Sequence, residues 1–130
     1  MVNTIKRTIR IIQSNYPSIR GACVFTSEGK IAFQTENMQL GSDASKLLQV
    51  WRKNETEFTI KHITFVTALR NKNSFVAINP SGATSIICGT GRGTWYVAVF
   101  VPMDEDKNSI LKECQRAAKS IASTTSIFSL

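Results

Sequence analysis

Apolar residues recur along the chain at two different periods, and the change of period divides it into helices and strands. Near the start, four aliphatic residues follow the spacing of one helix face: Val2, Ile5, Ile9 and Ile12. Basic residues lie between them. This pattern predicts an amphipathic helix of about three turns. The helix should end before Asn15-Tyr16-Pro17, because a proline cannot continue it.

Two further helices are predicted from the same periodicity. The first begins at Ser42 or Asp43, either of which can cap it, and ends at Arg52-Lys53-Asn54. Its apolar face consists of Ala44, Leu47, Leu48 and Trp51. The second follows Asp104-Glu105-Asp106, whose negative charge suits the positive end of a helix dipole. Its apolar face consists of Ile110, Leu111, Cys114, Ala117, Ala118 and Ile121.

Short β-prone runs fill the rest of the chain. Arg20 to Thr26 and Lys30 to Thr35 flank Ser27-Glu28-Gly29, a turn sequence whose glycine can supply a positive φ, and they predict a hairpin. From Phe58 to Val101, loop sequences at 70–73, 79–82 and 89–93 separate four or five strands of an antiparallel meander. The continuous apolar run from Trp95 to Val101 is typical of a strand covered on both faces.

The order of elements is helix, two strands, helix, four or five strands, helix. A sheet that needs cover on both faces predicts an α+β fold, a three-layer sandwich with the N- and C-terminal helices on one face and the middle helix on the other. With 130 residues, of which 42% are apolar, the chain allows one domain, spanning residues 1–130.

The charge and the cysteine content limit the classes of partner and the cellular compartment that we expect. The net charge of +7 favours acidic partners through long-range attraction. No apolar run approaches the roughly 20 residues of a membrane span, and the first fifteen residues do not form a signal-peptide core, so we expect a cytoplasmic protein. Cys23, Cys88 and Cys114 cannot all pair, and we expect free, buried thiols.

Candidate catalytic chemistry is sparse. His62 is the only histidine, lies between two β-prone runs and is expected in a turn or at a strand edge. Without close-spaced ligand pairs we expect no metal and no cofactor. The segment Gly89-Thr90-Gly91-Arg92-Gly93 has the glycines of a phosphate loop, but a strand follows it instead of a helix, which favours a hairpin loop. The sequence therefore favours a binding module over an enzyme.

Basic residues are spread over most segments, without a nucleic-acid-binding motif. We therefore expect no nucleic-acid partner, although a basic nucleic-acid binder stays a distant alternative. The final helix carries a basic stripe beside its apolar one, at Lys112, Arg116 and Lys119. This stripe is a candidate binding surface for an acidic protein or an anionic lipid.

Five segments together resemble the profilin family. Residues 21–25 (GACVF) and 27–32 (SEGKIA) are similar to its early hairpin, and residues 58–67 (FTIKHITFVT) to a pair of its strands. Residues 81–86 (SGATSI) resemble a glycine-containing strand entry, and residues 94–100 (TWYVAVF) the strand that follows it. The matches keep their order over essentially the whole chain, and they imply a profilin-like three-layer sandwich.

The resemblance implies a protein that binds monomeric actin, or an archaeal actin homologue, and regulates filament assembly by sequestering monomers and delaying nucleation. It also implies a monomeric cytoskeletal protein and anionic phosphoinositides as further ligands. The implied actin contacts on three strands are Thr67, Leu69, Val76, Ile78, Ser85 and Ile87. Those at the final helix are Asp106, Asn108, Lys112, Gln115 and Arg116.

The site that profilins use for poly-proline differs most. Val2, Ile5 and Ile9 stand where the family has aromatic residues, Ala32 replaces a tryptophan, and only Phe128 near the C-terminus is aromatic. A proline-rich ligand stacks on flat rings, so we expect weak or absent poly-proline binding. This divergence resembles the archaeal profilin-like branch.

The element order also resembles the roadblock and longin families, which form dimeric scaffolds that regulate small GTPases. Those folds begin with the same helix, two strands and helix. They close sooner, however, and the strand content between Phe58 and Val101 favours profilin.

Overall fold

The computed structural model describes residues 2–35, 40–82, 84–102 and 107–124, and for residues 2–4 and 124 it describes the backbone alone. The helices are α1 (Val2–Asn15), α2 (Asp43–Lys53) and α3 (Lys107–Thr124). The strands are β1 (Gly21–Thr26), β2 (Ile31–Gln34), β3 (Glu57–Ile60), β4 (Ile63–Arg70), β5 (Ser74–Ile78), β6 (Ser85–Thr90) and β7 (Trp95–Val101).

Within those residues the strands form one antiparallel sheet in the order β2-β1-β7-β6-β5-β4-β3. Strands β3 to β7 follow one another as a meander, and β1 returns to pair with β7, with Gly21 opposite Phe100 and Thr26 opposite Trp95. All seven residues of β7 are buried. The predicted meander, and the cover on both faces of Trp95–Val101, are thereby confirmed.

Two cores lie on opposite faces of the sheet. Beneath α2 the core is rich in aromatic rings, and Trp51 stacks on Phe75 at 5.5 Å between ring centroids. Beneath α1 and α3 the core is mostly aliphatic, and Ile9 of α1 packs there with Val97 and Cys114. The predicted three-layer arrangement is confirmed, since α1 and α3 share one face and α2 covers the other.

Two local details differ from expectation, and a third lies outside the described residues. Asp43 begins α2 with Ser42 at the cap position, but the Ser42 side chain makes no capping hydrogen bond, because its backbone is already helical. Gly89 belongs to β6, so the predicted loop starts only at Gly91. The predicted acidic start of the last helix, at Asp104-Glu105-Asp106, lies outside the described residues.

His62 occupies the turn between β3 and β4, as expected. Lys61 and His62 have φ values of 52° and 66°, which is the left-handed pair of a two-residue hairpin turn. Both side chains are exposed. No helix in the part of the chain that the structure describes is both long and apolar enough to cross a membrane.

Candidate functional site

On one face of the sheet, the helices leave some strands uncovered. α3 packs over β6 and β7 and reaches β5 at its edge. Beyond it, on the same face, the side chains of β3 and β4 are half-buried or exposed. A surface of strands therefore lies open next to α3.

The strand register identifies which side chains form this open surface. Leu69 is opposite Val76, which packs in the core beneath α3, so Leu69 points to the α3 side of the sheet. Val66 is opposite Ile78 on the same face, and both are half-buried. By the same alternation, β3 and the start of β4 contribute polar residues. We call the set the outer-strand surface: Glu57, Thr59, Thr64, Val66, Leu69 and Ile78.

One flank of α3 borders the outer-strand surface. The side-chain amide of Gln115 donates hydrogen bonds to the hydroxyl of Ser74, at 2.7 Å, and to the carbonyl of Asn73, at 3.1 Å. This places the Gln115 flank toward β5. Lys112 and Asn108 lie three and seven residues before Gln115, on the same side of the helix, and both are exposed. We call Asn108, Lys112 and Gln115 the α3 flank.

A β-bulge separates two residues that sequence reasoning placed together. The register of β4 against β5 shifts between Thr67 and Leu69. Thr67 is opposite Ala77, which packs beneath α2, so Thr67 faces the other side of the sheet from Leu69. Its hydroxyl donates to the carbonyl of Glu55 at 2.9 Å. Thr67 thus fastens the α2–β3 connection instead of joining the outer-strand surface.

Three other expected contact residues are buried. Val76 and Ile87 pack in the core beneath α3, with 4% and 0% of their surfaces exposed, and Ser85 is fully buried as well. They have no side-chain surface to offer a partner, because α3 covers the strands that carry them. Their role here is to support α3 from below.

The expected helix contacts divide into two groups. Lys112 and Gln115 belong to the α3 flank, whereas Arg116 forms an ion pair with Glu113, donating from Nε at 2.8 Å. Arg116 lies one turn after Lys112 and next to it on α3, but its guanidinium is held by Glu113, whereas Lys112 has no such partner among the described residues. Asp106, the remaining residue, lies outside the described residues.

Sequence reasoning missed Val66 and the polar residues of the outer-strand surface. The alternation of Glu57, Phe58, Thr59 and Ile60 was a usable signal, because it makes one face of β3 apolar and the other polar. Val66 gave no such signal, since a valine in a strand fits either face.

A pocket of about 350 Å³ opens on the α2 side of the sheet, but its two arginines form hydrogen bonds within the fold. The guanidinium of Arg70 donates to the carbonyl of Trp51 at the end of α2, and the indole of Trp51 donates to the carbonyl of Asn71 at 2.7 Å. The Arg52 guanidinium is bound to the carbonyl of Ser27 at 2.8 Å. These bonds tie α2 to two hairpin loops.

The three cysteine thiols lie inside the protein. Burial raises the pKa of the Cys23 thiol to about 12 and also raises the pKa values of Cys88 and Cys114, so the thiols are protonated near neutral pH. All three cysteines are free and buried. Across the described ranges, no group of three histidine, cysteine or acidic side chains could hold a metal ion.

Several solved profilin structures resemble the chain over nearly its full length. The structures of LokiProfilin1 and LokiProfilin2, each in complex with rabbit actin, match with a TM-score of 0.85 at 20% and 16% sequence identity. The matches cover 96% of this chain and 98% and 100% of those chains. Profilin IB of Acanthamoeba castellanii matches with a TM-score of 0.70 at 8% identity, over 88% of this chain and 93% of that one.

A protein of another name also shares the architecture. The gliding protein MglB of Thermus thermophilus matches with a TM-score of 0.60 at 9% identity, over 92% of this chain and 89% of that one. No family sequence model and no curated protein sequence matches the chain. The chain therefore has the profilin fold, at 20% sequence identity or less to these structures.

Proposed function

We propose that this protein binds monomeric actin, or an archaeal actin homologue, and regulates filament assembly by sequestering monomers and delaying nucleation. The observation that carries the proposal is the open sheet face, where the outer-strand surface continues into the α3 flank. The similarity to LokiProfilin1 and LokiProfilin2, both solved with rabbit actin, supports the same partner class.

The chemistry of this face suits a protein partner. Val66, Leu69 and Ile78 provide an apolar centre, in which Leu69 is 39% exposed. Lys112 adds a positive charge at the border with α3. A partner with an apolar patch and an acidic rim would bury the centre and pair with the lysine.

Monomer binding accounts for the expected effect on assembly. Nucleation needs several actin subunits at once, so its rate falls steeply when free monomer is withdrawn. A protein that only binds, without catalysis, is sufficient for this role. We place it in the cytoplasm with the cytoskeleton, as a monomer that acts through one surface.

Pyrene-labelled actin tests the proposal directly. Adding the protein in excess over actin should lengthen the nucleation lag, and the lag should grow with protein concentration. The assay should use both a eukaryotic actin and the source organism's own actin homologue. An unchanged lag with both actins at saturating protein would rule the proposal out.

The roadblock- or longin-type scaffold is the weaker alternative, because the profilin structures match at higher TM-scores than MglB does. It predicts an isologous dimer, so the mass in sedimentation would be twice 14.4 kDa at micromolar concentration. A stable dimer that binds a small GTPase would favour the scaffold over the actin regulator.

Anionic phosphoinositides are a further proposed ligand class, on the basis of the net charge of +7. Such binding acts through screened charge and should weaken as salt is raised. Vesicle co-sedimentation at low and high salt measures it, and retention that is insensitive to salt would contradict an electrostatic mode.

A further inference from the structure

α1 carries three exposed cations and no acidic residue. Lys6, Arg7 and Arg10 are exposed, and the helix sequence VNTIKRTIRIIQSN contains neither aspartate nor glutamate. Among the described residues none of the three forms an ion pair or a hydrogen bond with another side chain. This differs from Arg52, Arg70 and Arg116, whose guanidiniums are bound within the protein.

Two of these cations line a groove. A concavity of about 300 Å³ lies between α1 and β2, lined by Lys6, Ile9, Arg10, Gln13 and Phe33. Ile9 is buried and Phe33 is half-buried against the same aliphatic core, so they provide an apolar floor. The polar residues of α1 form the wall above it.

The wall is a single flank of the helix. Lys6, Arg10 and Gln13 are spaced i, i+4 and i+7, which places them in one row facing β2. Ile11 projects from a different side of α1 and does not line the groove. Seven residues of helix rise about 10 Å, which is the length of about three residues of extended chain.

The other side of the groove is the edge of the sheet. β2 is the first strand in the sheet order and pairs on one side with β1. Within the ranges that the structure describes, no strand pairs with its opposite side, where an edge strand offers a row of donors and acceptors. The groove thus combines an apolar floor, a cationic wall and a strand edge.

We propose that this groove binds a short acidic peptide segment in extended conformation, with one apolar side chain on the floor. Carboxylates of the segment pair with Lys6 and Arg10, and its backbone adds to the edge of β2. The concave floor formed by Ile9 and Phe33 receives a single side chain, whereas a flat lipid surface would leave it unfilled. The site is separate from the outer-strand surface, so it stands or falls independently of actin binding.

A fluorescent peptide, acetyl-Glu-Asp-Phe-Glu-Asp-amide, serves as the probe. We expect saturable binding by fluorescence anisotropy, with NMR shifts concentrated on residues 6–13 and 31–34. The matched peptide with glutamine and asparagine in place of the acids should bind about two- to thirtyfold more weakly, because two charge pairs of ordinary surface strength are lost. Raising the salt concentration from about 50 mM to about 300 mM should also lower the affinity of the acidic peptide.

Charge-reversal variants locate the site. Lys6→Glu with Arg10→Glu should abolish detectable binding of the acidic peptide. The matched control, Lys53→Glu with Arg92→Glu, changes the net charge equally at exposed positions elsewhere and should retain most of the affinity. Thermal unfolding of both variants checks that the fold is kept.

Three outcomes would overturn the proposal. The first is an equal loss of affinity for the acidic peptide in the two double variants, which would indicate attraction to the net charge alone. The second is NMR shifts outside α1 and β2. The third is binding to phosphatidylserine vesicles that depends on Lys6 and Arg10 while the peptide fails to bind, which would assign the patch to a membrane surface.

Discussion

Gly89 in β6 lies so close to α3 that a β-carbon at this position would stand 2.9 Å from the backbone nitrogen of Gln115. Only glycine permits this approach of helix to sheet without displacement. The close approach brings the amide of Gln115 within hydrogen-bonding distance of Ser74. The position of the α3 flank against β5 therefore depends both on the absence of a side chain at Gly89 and on the hydrogen bond from Gln115 to Ser74.

Gly89→Ala should destabilise the protein by about 1–3 kcal/mol, the usual range for overpacking, because the added methyl group pushes against helix backbone. Gly91→Ala is the matched control. Its nearest contact is the side chain of Lys119, which can rotate away into solvent, so the loss should be smaller. Urea denaturation of both variants measures the difference, and equal stability of the two would contradict the proposed close packing at Gly89.

The buried thiols predict a dependence of stability on alkaline pH. The pKa of Cys23 is raised to about 12 in the folded state, from an ordinary value of 9.0, because burial disfavours the thiolate. The unfolded chain can ionise above pH 9.0 while the folded chain cannot, so the stabilisation is complete below pH 9.0 and is lost as the pH rises toward about 12.

Comparing the native protein with Cys23→Ala isolates this contribution. The free energy of unfolding of the native protein should fall more steeply between about pH 9 and about pH 11 than that of the variant, roughly in line with one fewer ionising group. If the free energy of unfolding falls with pH at the same rate in the native protein and the variant, Cys23 ionises equally in the folded and unfolded states. Reaction with a thiol reagent should be slow before unfolding and rapid after it.

Helix positions and the first hairpin could be predicted from local patterns. The spacing identified four of the buried residues of α2, which are Ala44, Leu47, Leu48 and Trp51. Periodicity works here because a helix that covers a sheet has one buried side and one solvated side. The pairing of β1 with β7 had no local signal, since these strands are joined only by long-range contacts.

The candidate site was harder to predict for a different reason. Alternation would place Thr67 and Leu69 on one face, but a bulge between them reverses the relation, and no residue type announces it. Val76 and Ile87 could not be recognised as buried, because an apolar strand looks alike whether a helix or a partner covers it. The position of α3 across the sheet decides between these cases, and that is a tertiary property.

Poly-proline peptides should bind weakly or not at all. Ile5 and Ile9, which stand where profilins carry aromatic residues, are 1% exposed and belong to the core, and the sequence of α1 contains no aromatic residue. The side chain of Val2, and Phe128, lie outside the described residues. NMR titration with decaproline checks the prediction, and saturable shifts confined to α1 and α3 at sub-millimolar peptide would contradict it.

Leu69→Ala should weaken actin binding while changing stability little. Leu69 is 39% exposed in the centre of the outer-strand surface, so its truncation costs the folded protein less than about 1 kcal/mol but removes apolar area from a contact. Ile11→Ala is the matched control, because Ile11 is 44% exposed on α1, on another part of the surface. Actin affinity from the pyrene assay should fall for the Leu69 variant alone; equal affinities would exclude Leu69 from the contact.

Reversing Lys112 and Arg116 together should weaken actin binding, and we expect most of the loss to come from Lys112. Lys112 lies on the α3 flank beside the outer-strand surface, whereas the guanidinium of Arg116 is held by Glu113. Lys112→Glu should cost about 1–2 kcal/mol of binding free energy if the charge sits at the rim of the contact, because reversal replaces an attraction with a repulsion. Arg116→Glu should cost clearly less.

The two single variants and the double variant separate these contributions in one experiment. Thermal unfolding is the control for the fold, and Lys112→Glu should melt like the parent because its side chain is exposed. Arg116→Glu should melt slightly lower, since it loses the exposed ion pair with Glu113 and places two glutamates three residues apart. If both single variants bind actin as well as the parent, α3 does not border the contact. If Arg116→Glu has the larger effect, the expected order of the two contributions is wrong, and the ion pair with Glu113 does not withhold Arg116 from the contact.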